Sequence, residues 1–128
     1  MNVLLVAMCD SVHTARWLAQ FEGTGVQFTL FPSTPHRRVH PQIRALLGSK
    51  SPFVVLGHAD NVLALPLGLI DLVMGNRLRA MRLRKVIKEG IFDFTHLLET
   101  QHAGYLFQTA VQRAGYFRPV ALSIWGSD

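Results

Sequence analysis

The chain is built from short apolar runs set between amphipathic stretches. Val3 to Met8 (VLLVAM) is an unbroken apolar run, the pattern of a strand covered on both faces in a parallel sheet. Polar residues follow at once, and Asp10 or Ser11 stands where a cap is needed for a helix beginning near His13. Ala15, Leu18, Ala19 and Phe21-Glu22 continue that helix, and Gly23 and Gly25 end it. Val26 to Phe31 (VQFTLF) reads as a second strand. Strand, loop, helix, glycine turn and strand within about thirty residues form a βαβ unit, with a right-handed crossover.

Pro32, Pro35, Pro41, Pro52 and Pro66 punctuate the next stretch, in which the pattern predicts a short helix over Pro41 to Leu47 and a third strand over Phe53 to Leu56. Leu67 to Glu89 predicts a long helix with Leu69, Leu72, Val73, Ala80, Leu83 and Ile87 as its core face. Gly75 and Asn76 weaken its middle, and Gly90 suits its end. Phe92 to Glu99 is the fourth predicted strand, His102 to Ala114 a helix closed by Gly115, and Pro119 to Trp125 the fifth strand.

Alternating strands and helices predict an α/β class: one Rossmann-like domain over residues 1–128, with a doubly wound parallel sheet of about five strands. The expected strand order is 3-2-1-4-5. Ligands in such sheets sit beyond the carboxyl ends of the strands. Three segments therefore converge on one rim: Cys9 to His13, Thr100 to Gly104, and Trp125 to Asp128. A covering helix ordinarily follows the last strand, so the expectation is a domain truncated after its fifth strand.

Composition narrows the class further. Hydrophobic residues make up 49% and charged residues 16% of the 128, enough for a buried core and too apolar for wholesale disorder. One cysteine, Cys9, excludes an internal disulfide and makes a reducing, cytoplasmic setting the default. No apolar run reaches the roughly 18 residues of a membrane span. The opening MNVLLVAMCDS lacks a basic start and reads as a strand. A net charge of +5 favours anionic partners such as nucleotides, lipid head groups or nucleic acid, without choosing among them.

Two stretches resemble the N-terminal domain of glycosyltransferase family 4, a GT-B group. SVHTARW (residues 11–17) is similar to that family's S-x-H-T-x-R-W, placed after the first strand. THLLETQHAGYLFQTAVQRAGYFRPVALSIWGSD (residues 95–128) is similar to its D-x-x-H-x-H-x-x-x-x-G and P-x-x-x-S-x-W-G-S-D pattern, with SIWGSD the most specific piece. Residues 32 to 90 add little. The resemblance implies a retaining, metal-independent enzyme without a cofactor, in which two Rossmann-like domains face each other across a cleft. The C-terminal domain would grip the nucleotide sugar, and this domain would shape the acceptor site. The absent donor-binding half implies that the 128-residue piece alone is inactive. Cell-envelope polysaccharide or glycolipid synthesis is the implied setting. Two positions depart from the pattern. Cys9-Asp10-Ser11-Val12 stands where many relatives place a glycine that lets backbone approach the donor phosphates. Trp125 stands where many have a histidine, so that histidine's catalytic role does not pass to Trp125.

Each candidate residue carries two readings. His13, with Ser11 at an electropositive helix start, is a contact to donor phosphate or acceptor, or a solvent-facing cap residue. Arg16 pairs with an anion or is ordinary surface, and Trp17 reads as helix–sheet packing. His102 is the candidate catalytic residue, acting on an acceptor hydroxyl or in proton transfer, or else a solvent-facing residue of a helix start. His96 reads as a hydrogen-bonded core histidine. Trp125 stacks on a sugar or packs beneath the cleft. Ser127 and Asp128 bind sugar hydroxyls or cap a following helix. Arg77, Arg84, Lys85 and Lys88 share a helical sector with Ile70, Met74, Leu78 and Met81. That sector is either a solvated basic face whose apolar residues pack on a neighbour, or a face for a peripheral, anionic membrane surface carrying lipid-linked acceptors.

Other chemistries lack their motifs. The six histidines are scattered, and the His36–His40 pair is flanked by Pro35 and Pro41, which argues against one metal-binding helical face. There is no phosphate-binding G-x-x-x-x-G-K-[ST], no G-x-G-x-x-G and no G-x-S-x-G. The alternative to a transferase is a non-catalytic nucleotide-binding or flavodoxin-like module. Nucleic-acid binding is not expected, because no aromatic residues interleave with the basic ones.

Overall fold

The computed structural model describes residues 1–34, 39–47, 69–70, 73–75, 77–112, 116 and 118–124. The described elements are β1 (Asn2–Ala7), α1 (Val12–Ala19), β2 (Gln27–Pro32), α2 (Pro41–Leu47), α3 (Arg77–Glu89), β3 (Phe94–Leu97), a π-helical turn (Thr100–Gly104), α4 (Tyr105–Val111) and β4 (Val120–Leu122). All strand pairs are parallel, in the order β2-β1-β3-β4.

β1 is central because its side chains satisfy both faces. Leu5 and Ala7 point into a cluster with Ala15, Leu18, Leu30 and Ile43, beneath α1 and α2. Leu4 and Val6 point the other way, into Phe31, Ala80, Leu83, Leu97 and Leu106, beneath α3 and α4. Every residue from Val3 to Ala7 is buried, and each Val or Leu side chain among them contributes about 2 kcal/mol relative to exposure. Helices on both faces of a parallel sheet are the doubly wound arrangement.

The expected order is met by the four described strands, which are the first, second, fourth and fifth of the predicted five. The predicted strand over Phe53 to Leu56 lies outside the described residues. The strand ends differ from expectation. β3 spans Phe94–Leu97, not Phe92–Glu99. Asp93 Oδ2 accepts from Asn2 N at 2.7 Å, and Glu99 caps the turn that follows. β4 is likewise shorter than Pro119 to Trp125. α1 ends at Ala19, not near Glu22. Phe21 N and Glu22 N reach back only three residues, to Leu18 O and Ala19 O, tightening the chain before the glycine turn.

The long predicted helix is the main correction. Residues 69, 70 and 73 are helical, but Gly75 takes φ +68, which no α-helix can continue. α3 therefore starts afresh at Arg77. Leu69 and Val73, expected in the core, are 58% and 89% exposed, whereas Ala80 and Leu83 are buried as expected. Leu72 lies outside the described residues. Gly90 ends α3, and its N–H reaches Val86 O at 2.8 Å. A Cβ there would collide with the Phe92 ring and sit 2.9 Å from Val86 O, so the position favours glycine.

Candidate functional site

Parallel strands bring their carboxyl ends to one rim, and two helical starts open on it from neighbouring strands. After β1, Ser11 takes an extended conformation (φ −85, ψ 131) and caps α1, its Oγ accepting from His13 N. That bond is 3.2 Å long. The first turn of α1 holds no acidic residue, so its amides present partial positive charge. His13 and Arg16 are both exposed on this helix. Ser11 thus stands at the start of α1, His13 in its first turn and Arg16 in its last.

After β3 the chain makes a π-helical turn, a form often found at functional sites. Glu99 caps it with both carboxylate oxygens. Oε2 accepts from His102 N at 2.8 Å and Oε1 from Ala103 N at 2.7 Å. Thr100, Gln101 and His102 are left exposed on the rim. The predicted helix over His102 to Ala114 is therefore a π turn from Thr100 running into α4. Trp125, Ser127 and Asp128, and Gly115, lie outside the described residues.

Below the rim, the ends of β1 and β2 are tied together. Ser33 N donates to Ala7 O at 2.9 Å, and His40 N to Cys9 O at 2.8 Å. Arg79, from α3, is 6% exposed. Its Nη2 donates to Pro32 O at 2.6 Å. Ser33 Oγ is buried with no hydrogen-bond partner among the described residues. Cys9 is fully buried beside this arginine, and burial, reinforced by the charge of Asp10, pushes its thiol from 9.0 to about 11.

Trp17 does pack between helix and sheet. Its ring lies 4.7 Å from Phe21, 5.5 Å from Phe28 and 4.7 Å from His96, between centroids. His96 is half-buried. Its Nε2 is 2.8 Å from Ser123 Oγ, and burial lowers its pKa. This is the hydrogen-bonded histidine the sequence suggested.

The four basic residues assigned to one helical sector do not stay together. Arg77, Lys85 and Lys88 are exposed. Arg84 instead turns toward α4, its Nε donating to Ala110 O at 2.8 Å. Lys85 is paired with Glu89 at 3.9 Å.

Three residues escaped the sequence reading. Arg79 looks like one of several basic residues on α3, yet it falls on the same wheel arc as Ala80 and Leu83, and that phase was the available signal. Glu99 precedes a helical start at a strand end, the ordinary place for a capping carboxylate. Ser123 lies in β4's exit, and only the parallel register with β3 reveals its partner.

A cavity of about 1010 Å³ lies elsewhere. It opens at the amino ends of the strands, between Phe21, Phe28, Leu46 and Phe92, and its ionisable lining groups among the described residues are Glu22 and Glu89. The rim is the better candidate site, because helix starts, histidines and buried polar groups gather there and not in the apolar groove. Among the described residues, no group of three or more His, Cys, Asp or Glu could hold a metal ion. No helix among them is long and apolar enough to cross a membrane.

A doubly wound parallel sheet with two capped helical starts on its carboxyl rim defines a Rossmann-like α/β domain. The family model described as glycosyl transferase 4-like matches residues 2–128, and the chain belongs to that family. No curated protein matched the chain, and no solved structure did. The resemblance of SVHTARW and SIWGSD is thereby confirmed at the level of the family. The chain is a glycosyltransferase domain, and a sugar donor and an acceptor are its substrates by class.

Proposed function

We propose that this chain is the N-terminal, acceptor-side domain of a retaining GT-B glycosyltransferase, moving a sugar from a nucleotide-sugar donor to an acceptor in cell-envelope polysaccharide or glycolipid synthesis. The observation that carries this reading is the pair of unlike helical starts on neighbouring strands. α1 opens with a neutral cap and no acidic residue in its first turn, which suits an anionic group. The π turn opens with the Glu99 carboxylate, which offsets its dipole and suits the neutral hydroxyls of an acceptor. Ser11, His13 and Arg16 then contact donor phosphate or acceptor, and His102 takes or relays the acceptor proton. Trp125, Ser127 and Asp128 follow β4 and are assigned to the same rim by sequence alone. The negative charge developing on the leaving diphosphate is met by cationic groups and helix dipoles, mostly on a second, donor-binding domain. No metal or other cofactor is needed in this scheme. The work takes place on the cytoplasmic side, where nucleotide sugars are made.

The test is turnover of a panel of UDP-, GDP- and ADP-linked sugars by the protein carrying this chain, read as released nucleoside diphosphate. His102→Ala lowers kcat about a hundredfold if the residue moves the proton. An unchanged kcat removes His102 from that role, and no turnover of any nucleotide sugar removes the donor reading. Product of inverted anomeric configuration, seen by NMR, overturns retention. Sugar transfer by the 128-residue chain alone overturns the two-domain scheme.

A further inference from the structure

Three features meet at the carboxyl end of β2. The first is Ser33. Its N–H donates to Ala7 O at 2.9 Å, which carries the strand's alternation one residue past Pro32. Its side chain therefore follows Phe31 onto the face that α3 covers with Ala80 and Leu83. Ser33 is 5% exposed, and its Oγ has no hydrogen-bond partner among the described residues. The second feature is Arg79, itself 6% exposed. Its Nη2 donates to Pro32 O, on the peptide joining Pro32 to Ser33, at 2.6 Å. The third is the start of α3. Arg79 lies in the first turn of this 13-residue helix, and that turn holds no acidic residue. Side chains on a helix lean toward its start, so the guanidinium lies off the amino end of α3, where the first amides carry partial positive charge.

Buried hydroxyls ordinarily find a partner within the chain, so one that does not calls for an explanation. A buried cation and a helix start beside it call for negative charge carried on oxygen atoms. A phosphate group meets all three demands. It accepts from the serine hydroxyl, from the amides of the first turn and from the guanidinium, whose planar fork has donors enough to hold a carbonyl and an oxyanion together. Ligands of doubly wound sheets bind at these strand ends, and little water reaches the group to screen the contacts. We propose that Ser33, Arg79 and the start of α3 hold a phosphate group at the carboxyl end of β2, apart from the start of α1 that follows β1. The site deepens the transferase reading and rests on it for the source of the phosphate, which is either a phosphorylated acceptor or the diphosphate of the donor.

The test is a phosphorus NMR titration of the chain with inorganic phosphate, at an ionic strength held constant with chloride. Saturable binding is expected. Ser33→Ala weakens it about tenfold, through loss of one hydrogen bond to a charged group. The same variant keeps or raises the unfolding midpoint measured without phosphate, because it breaks no bond among the described residues. Arg79→Lys keeps the charge but not the fork, and also weakens binding about tenfold. Displacement of the phosphate by glycerol phosphate and not by UDP assigns the site to a phosphorylated acceptor, and the reverse assigns it to the donor. No binding of phosphate by the folded chain overturns the proposal, as does wild-type affinity in Ser33→Ala. A lower midpoint of Ser33→Ala without phosphate shows that the hydroxyl is satisfied inside the chain, and overturns its part in the site. Bound phosphate that neither compound displaces overturns the substrate role alone, since turnover of nucleotide sugars tests the transferase reading separately.

Discussion

His96 Nε2 and Ser123 Oγ lie 2.8 Å apart across the β3–β4 pair. Register explains the contact: His96 is opposite Ala121, and Ser123, two residues on, points to the same face. The pair joins two stretches that carry the family resemblance, THLLETQH and SIWGSD. It also holds the His96 ring against Trp17, 4.7 Å away between centroids, and so links α1 to the exit of β4. Ser123→Ala removes the partner of a half-buried imidazole and is expected to cost about 1 kcal/mol. The urea midpoint of unfolding measures it, and a midpoint equal to the parent's removes the bond from the stability of the fold.

Burial lowers the pKa of His96 below the ordinary 6.5. The folded state therefore prefers the neutral ring. The resulting stability is fully present above 6.5 and is lost as pH falls from 6.5 toward the lower folded value, because the unfolded chain takes up the proton first. Urea midpoints measured from pH 7.5 downward should fall over that window, and the fall should shrink in His96→Gln. An identical pH slope in that variant assigns the effect to another group.

Arg79 fastens α3 to the end of β2 through Pro32 O at 2.6 Å. Arg79→Ala removes a charged donor from a buried carbonyl and leaves a cavity, with an expected loss of about 2–4 kcal/mol. Arg79→Lys should lose less, because an ammonium keeps the charge and one donor. Thermal unfolding of the two variants measures this, and equal losses would mean that the charge contributes nothing.

Glu99 holds the amides of His102 and Ala103 with one carboxylate. Glu99→Ala is expected to cost about 1–2 kcal/mol through the lost cap. Glu99→Gln, which keeps one acceptor oxygen, should cost about half as much. Amide hydrogen exchange in the 100–104 turn should rise in the alanine variant. Unchanged protection there would show that the π turn holds without its cap.

Cys9 should be inert in the folded chain. Its thiol is fully buried and pushed up to about 11, which leaves roughly a hundredfold less thiolate near pH 8 than an ordinary cysteine has. Reaction with a disulfide reagent should be slow in the native chain and fast in urea. Native and unfolded chains reacting at the same rate would contradict the burial.

Much of the architecture was legible before any coordinates. The VLLVAM run reads as a strand covered on both faces, and its side chains do alternate between two cores, Leu4 and Val6 in one and Leu5 and Ala7 in the other. A cap at Asp10 or Ser11, Pro41–Leu47 as a helix and Gly90 as a helix end all follow from local chemistry, in which a residue's own backbone and nearest neighbours decide. SVHTARW and SIWGSD carried the family for the same reason, being contiguous in the chain. The tertiary structure decided what depends on distant partners. Gly75 breaks a periodic stretch that reads as one helix, and the pattern cannot show whether the chain will follow its period or the turn. Leu69 and Val73 fit the core phase of α3 but lie beyond that break, where the phase no longer applies. Arg79 is buried and Arg84 diverted because the carbonyls of Pro32 and Ala110 lie far away in sequence. His96 meets Ser123 only through the parallel register of two strands. Local propensity and period are properties of a short stretch of residues, whereas register and burial belong to the packed chain.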